Sequence, residues 1–195
     1  RIDIVLITKL LGYTQTGLYT AAYKFFDLLA FFPAVVSHAL YPLFATLMVQ
    51  NKMGEIKAML EKYLRFMAAL ALPLGVGGSI LAKQIIGILS PDYAAAAPVL
   101  AVLVWAPAIL FIYIVVNSLV ISQLTKLAMI VTGVNVAINL IGNIILLPRI
   151  GIIGAAIMTL FSELLQGIFY FYFVRKRITD FKFFSLIWQP VLASA

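Results

Sequence analysis

Long apolar runs separated by short polar connections limit this chain more than any other feature. Residues 99–116 carry no charge, and residues 25–36 carry one, Asp27. A membrane-spanning helix needs about 20 mainly apolar residues, so a chain of 195 residues holds about six or seven. Composition agrees: 64% of residues are hydrophobic and 11% charged, where soluble domains run near about 45–50% and 25%. A water-soluble enzyme and a disordered chain are excluded. Cysteine is absent, which removes a disulfide scaffold, thiolate nucleophiles and Cys-ligated metals. A barrel is excluded too, because its strands must alternate polar and apolar positions and runs 25–36 and 99–116 do not. The expectation is an all-α integral membrane protein, a polytopic helical bundle.

Five complete spans are expected, at 17–49, 64–89, 98–122, 127–147 and 152–174, with partial ones at 1–11 and 183–195. Together they form one transmembrane bundle over 1–195. The first residue is Arg1 inside an apolar run, so the chain reads as a fragment of something longer. Pro33 and Pro42 can bend the long 17–49 span. Pro73, Gly75, Gly77 and Gly78 predict a kink or local unwinding in 64–89, tolerated only where protein or water satisfies the freed backbone.

Charge gives an orientation. The formal net charge is +7, which in a soluble protein would suggest nucleic acid; here membrane topology accounts for it, and no nucleic-acid partner is expected. Connections 50–65, 123–127 and 174–183 carry Lys52, Lys57, Lys62, Arg65, Lys126, Arg175, Lys176, Arg177 and Lys182. The opposite connections carry Arg149, with Lys9 and Lys83 nearby. Lys and Arg collect in cytoplasmic loops, so 50–65, 123–127 and 174–183 are expected in the cytoplasm.

Polar residues within spans mark candidate sites, because hydrocarbon makes them costly. Thr16, Thr20, Tyr23, Lys24 and Asp27 fall within about a quarter turn of one another on a helix, and His38 projects near them. They form either the polar wall of a water-filled cavity or, for Lys24 and Asp27, a structural ion pair near the surface. Asn135, Asn139 and Asn143 recur at every fourth residue with Thr132 alongside. They line a passage for a hydroxyl-rich substrate or bond neighbouring helices. The last full span repeats the pattern with Thr159, Ser162, Glu163, Gln166 and Tyr170. Asp3 and Glu163 are candidate coupling acids, and Arg1 sits mid-span beside Asp3. Gly151, Gly154, Ala155 and Ala156 mark a close helix contact, and Tyr13, Tyr19, Tyr41, Tyr93 and Trp188 fit interfacial belts. No phosphate-cradling loop, paired loop carboxylates or acidic metal cluster is found, and His38 is the only histidine. No catalytic residue, metal or cofactor is expected.

The segments Arg1-Ile2-Asp3-Ile4-Val5-Leu6-Ile7 and Gly17-Leu18-Tyr19-Thr20-Ala21-Ala22-Tyr23-Lys24 resemble the middle of the polysaccharide (O-antigen type) flippases. These belong to the multidrug/oligosaccharidyl-lipid/polysaccharide exporter superfamily. The likeness continues at Pro33, Tyr41-Pro42, Ile88-Leu89-Ser90-Pro91-Asp92-Tyr93-Ala94-Ala95-Ala96, Asn135-Val136-Ala137-Ile138-Asn139-Leu140, and from Leu147-Pro148-Arg149 to Gly154-Ala155-Ala156. It covers essentially the whole chain, by order and spacing rather than by one motif; Ser90 stands where the family commonly has Gly.

The resemblance implies roughly one half, the C-terminal one, of a 12–14-helix transporter. Such a protein moves undecaprenyl-diphosphate-linked oligosaccharide repeat units across the bacterial inner membrane, as in O-antigen and lipopolysaccharide synthesis. Alternating access would pass the sugar through a polar, partly cationic cavity. Arg1 and Lys24 would face the diphosphate, and Tyr23, Asp27, Asn135, Asn139 and Asn143 would complete the wall. Expected partners are the lipid-linked oligosaccharide, membrane lipids, the N-terminal helical half and polysaccharide polymerase machinery. One alternative is a multidrug/cation antiporter of the same superfamily, which Asp3, Asp27 and Glu163 keep open and Arg1 and Lys24 oppose. A third is a membrane-embedded enzyme of polysaccharide assembly, which would need larger loops or a catalytic set.

Overall fold

The structure, a computed structural model, describes residues 2–177, giving only the backbone for 122, 123 and 177. Arg1, Trp188 and the expected partial span at 183–195 lie outside the described residues. Those residues form helices α1 (Ile2–Val49), α2 (Met53–Ile80), α3 (Ala82–Gly87), α4 (Ala97–Leu103), α5 (Trp105–Gln123), α6 (Thr125–Ile150) and α7 (Ile152–Arg177). A 3-10 turn, Pro91–Ala96, precedes α4. Among the described residues there is no strand, and five helical stretches are long and apolar enough to cross a membrane. The protein is an all-α polytopic membrane protein.

Helix α1 is two arms rather than one rod. Gly12 breaks it with φ 86° and ψ 176°, a backbone state only glycine enters cheaply. In a straight helix Thr8 and Thr16 would stand about 12 Å apart. Instead their hydroxyls share a hydrogen bond of 2.9 Å. The chain therefore reverses at Gly12, and arm 2–11 lies along the start of arm 13–49. The second arm continues through Pro33 and Pro42.

The expected loop at 50–65 is mostly helix. Only residues 50–52 connect α1 to α2, and Lys57, Lys62 and Arg65 sit exposed on the first turns of α2. The helix forms there because Ile56, Leu60, Leu64 and Met67, spaced for one helix face, are all buried. The expected unwinding at Pro73 is also absent: α2 runs unbroken to Ile80, and the break comes at Leu81. Its glycines serve packing instead. A Cβ on Gly75 would lie 2.8 Å from the Trp105 ring, and one on Gly78 2.5 Å from Val104 Cγ2. Ser79 Oγ donates to the Ala101 carbonyl at 2.8 Å, and Tyr63 OH to the Phe111 carbonyl at 2.8 Å. These contacts run α2 antiparallel to α4 and α5.

Helices α6 and α7 form an antiparallel hairpin about Gly151, whose φ is 63°. Asn135 pairs with Gln166, Asn139 with Ser162 and Gly142 with Met158, each pair nearly symmetric about that turn. Two apolar clusters flank the hairpin's polar middle. One, near the turn, gathers Ile7, Tyr19, Leu100, Leu103, Leu147, Ala155 and Ala156. The other joins Phe44, Leu60, Met67, Phe111, Leu119, Val131, Tyr170 and Val174. Asn135, Asn139 and Asn143 of α6, with Thr159, Ser162 and Glu163 of α7, occupy the level between them.

Candidate functional site

A cavity of about 340 Å³ opens at that level, a size typical of ligand pockets. The first arm of α1 contributes Ile2 and Asp3, and the second arm Tyr23. Helix α6 contributes Asn135, Val136 and Asn139, and α7 contributes Thr159, Ser162 and Glu163. Four chain segments thus converge, two of them adjacent only because the chain turns back at Gly12. Candidate residues Asp3, Tyr23, Asn135, Asn139 and Glu163 are brought together here.

Hydrogen bonds hold this wall in place. Tyr19 OH donates to Asp3 Oδ2 at 2.7 Å and lies 3.3 Å from Thr159 Oγ1. Tyr113 OH of α5 donates to the Glu163 carboxylate. Asn139 Nδ2 donates to Ser162 Oγ at 2.8 Å and to the Met158 carbonyl at 3.3 Å. Asn143 Nδ2 donates back to Asn139 Oδ1 at 2.9 Å. Asn135 Nδ2 donates to Gln166 Oε1 at 2.8 Å, and Gln166 Nε2 to Tyr170 OH at 3.2 Å. Asn139 and Asn143 are therefore used as interhelical and intrahelical ties. Asn135 and Asn143 each keep an Oδ1 that is buried without a hydrogen-bond partner, and of the two only Asn135 lines the cavity. A buried acceptor left open is costly, and a ligand hydroxyl or amine would satisfy it.

The remaining candidates fall elsewhere. Lys24 and Asp27 are exposed on the second arm and do not line the cavity, and Asn143 is wholly buried behind Asn139. His38 is exposed. Arg1 lies outside the described residues. The charged groups among the described lining residues are the carboxylates Asp3 and Glu163. Tyr19, read from sequence as an interfacial aromatic, is fully buried, because its hydroxyl has Asp3 as partner. Tyr113 was missed altogether. A tyrosine midway along an otherwise apolar span is a polar handle that needs a partner, and that signal was present in the sequence.

Comparison with known proteins fits this architecture. The chain is 24% identical over 171 residues to "Probable flippase AglR" of Haloferax volcanii, an alignment covering 86% of this chain and 36% of that protein. It is 27% identical over 198 residues to "Uncharacterized membrane protein MJ1068" of Methanocaldococcus jannaschii, covering 98% and 38%. It is 22% identical over 192 residues to "Probable low-salt glycan biosynthesis flippase Agl15" of Haloferax volcanii, covering 97% and 41%. The chain thus spans well under half the length of these archaeal relatives. No solved structure matches it significantly. Residues 1–98 match the family described as "Polysaccharide biosynthesis protein", and the chain belongs to that family.

Proposed function

We propose that the protein carrying this chain is a flippase for lipid-linked oligosaccharides in polysaccharide biosynthesis, and that the cavity receives part of the sugar head group. The observation that carries this reading is the buried, unpartnered Asn135 Oδ1 on a wall of hydroxyl, amide and carboxylate groups, within a chain of the polysaccharide biosynthesis family. Sugar hydroxyls both donate and accept, so such a wall can hold them without ionic contacts. The lipid tail stays in the bilayer, and rocking of this half against the N-terminal half alternates access. Asp3 and Glu163 are the coupling acids. Arg1 and Lys24 meet the diphosphate, Lys24 from outside the pocket proper, and Asp27 belongs to the same approach as Lys24. The side bearing Lys52, Lys57, Lys62, Arg65, Lys126, Arg175 and Lys176 is cytoplasmic. The undecaprenyl-diphosphate carrier, the bacterial inner membrane, the O-antigen pathway and contact with polymerase machinery are the finer form of this proposal. Archaeal relatives make the choice of lipid carrier its first variable.

The test is leaflet movement of a fluorescent lipid-diphosphate-linked oligosaccharide in liposomes holding the full-length protein, followed by an added quencher. Movement that falls about tenfold in Asn135→Leu supports the cavity assignment. Movement unchanged in that variant keeps the flippase and removes the pocket from the path. A second reading, cation antiport, draws support from the two lining carboxylates. Proton-linked efflux of an organic cation without oligosaccharide movement would replace the flippase with it.

A further inference from the structure

Helix α2 carries a charged-to-apolar boundary on its outer face. Along one exposed stripe, Glu55, Ala58, Lys62 and Arg65 are followed by Phe66, Ala69, Pro73, Val76 and Ile80, spaced for a single helix face. Phe66 is 57% exposed and Ile80 71% exposed, so among the described residues this face is open to lipid tails. The helix has 28 residues, about 42 Å of rise, against a hydrocarbon core of about 30 Å. Counting about 20 residues back from Ile80 brings the water boundary to the turn holding Lys62 and Arg65. A recess of about 470 Å³ lies there, lined among the described residues by Ala58, Glu61, Lys62, Arg65 and Phe66. The small Ala58 side chain leaves the space above Lys62 open. Among the described residues, the ion pair at the start of this helix joins Lys52 Nζ, just before it, to Glu55 Oε1 at 3.0 Å, and does not engage Lys62 or Arg65.

We propose that this recess is a headgroup site for an anionic phospholipid of the phosphatidylglycerol type. The phosphate lies between Lys62 and Arg65, whose charges are complementary to it. Glu61 accepts from headgroup hydroxyls, and one acyl chain follows Phe66, Ala69, Pro73 and Val76. The apolar continuation of the stripe argues for a lipid rather than a soluble anion, which would have no use for it. The site is separate from the central cavity and does not depend on what passes through that cavity.

The experiment uses the full-length protein in phosphatidylcholine nanodiscs with a trace of spin-labelled phosphatidylglycerol or spin-labelled phosphatidylcholine. The motionally restricted fraction gives the relative association of each. A preference of several-fold for phosphatidylglycerol is expected. It should fall to near parity in Lys62→Gln or Arg65→Gln, since one cation at a membrane surface contributes about fivefold, and persist in Lys62→Arg and Lys83→Gln. Each substituted side chain is exposed, and the two single variants provide independent readings if either inserts poorly. Equal restriction of both lipids, or a preference that survives loss of both cations, overturns the site. So does a preference displaced by soluble glycerol phosphate, since that would make the acyl stripe irrelevant.

Discussion

Tyr19 and Asp3, separated by 16 positions in sequence, are joined by a hydrogen bond of 2.7 Å in the turned-back arms of α1. Asp3 is 7% exposed and depends on this donor for satisfaction inside the bundle. Tyr19→Phe would leave the carboxylate buried beside a phenyl ring, a change costing about 1–3 kcal/mol. Thermal unfolding of the full-length protein in detergent checks this. The Asp3→Asn/Tyr19→Phe double variant should lose less than the two single losses combined. Strict additivity would mean the bond contributes nothing.

The reversal itself rests on Gly12. A Cβ there meets nothing within 4 Å, yet φ is 86°, so strain and not collision opposes substitution. Gly12→Ala is expected to cost about 1–3 kcal/mol. Gly17→Ala, five residues on with helical backbone and the same open space, should be neutral or slightly stabilising. Comparing the two unfolding midpoints separates turn strain from helix propensity. Equal midpoints would contradict the strained turn.

Much of the site was legible because helix period is local. The Asn135, Asn139 and Asn143 stripe follows from spacing alone, as does its counterpart through Thr159, Ser162 and Glu163. Which side chains pair was not legible, since the partner of Asn135 depends on the register of two helices about Gly151. The stripe of Thr16, Thr20, Tyr23, Lys24 and Asp27 placed Lys24 in the site, but Tyr23 and Lys24 stand about 100° apart at the edges of that stripe, and of the five only Tyr23 lines the cavity. The 50–65 segment was misread because its charges outweighed the Ile56, Leu60, Leu64 and Met67 face. Glycines 75 and 78 were misread as weakness in the helix, when Trp105 and Val104 occupy the room they leave.

That last point has a direct check. Gly78→Ala must push Val104, whose Cγ2 lies 2.5 Å from the new Cβ, while Gly77→Ala meets nothing within 4 Å. Overpacking of this kind costs about 1–3 kcal/mol, whereas Gly77→Ala should gain up to about 1 kcal/mol from helix propensity. A Gly78→Ala protein as stable as Gly77→Ala would show that α2 shifts freely against α4 and α5, contrary to the tight packing described above.

Glu163 offers a division between holding the bundle together and driving transport. Its carboxylate accepts from Tyr113 OH, and its side chain also lines the cavity. In Glu163→Gln the amide oxygen can still accept from Tyr113 while the titratable charge is gone. Stability should therefore change by no more than about 1 kcal/mol, roughly the net strength of one hydrogen bond. If Glu163 is a coupling acid, oligosaccharide movement in liposomes should lose its response to an imposed proton gradient in this variant. Tyr113→Phe should do the reverse, lowering the unfolding midpoint while keeping the response, because the acid remains and only its donor is removed. A Glu163→Gln protein that still responds fully to the gradient would assign the residue to the Tyr113 bond alone and leave coupling to Asp3.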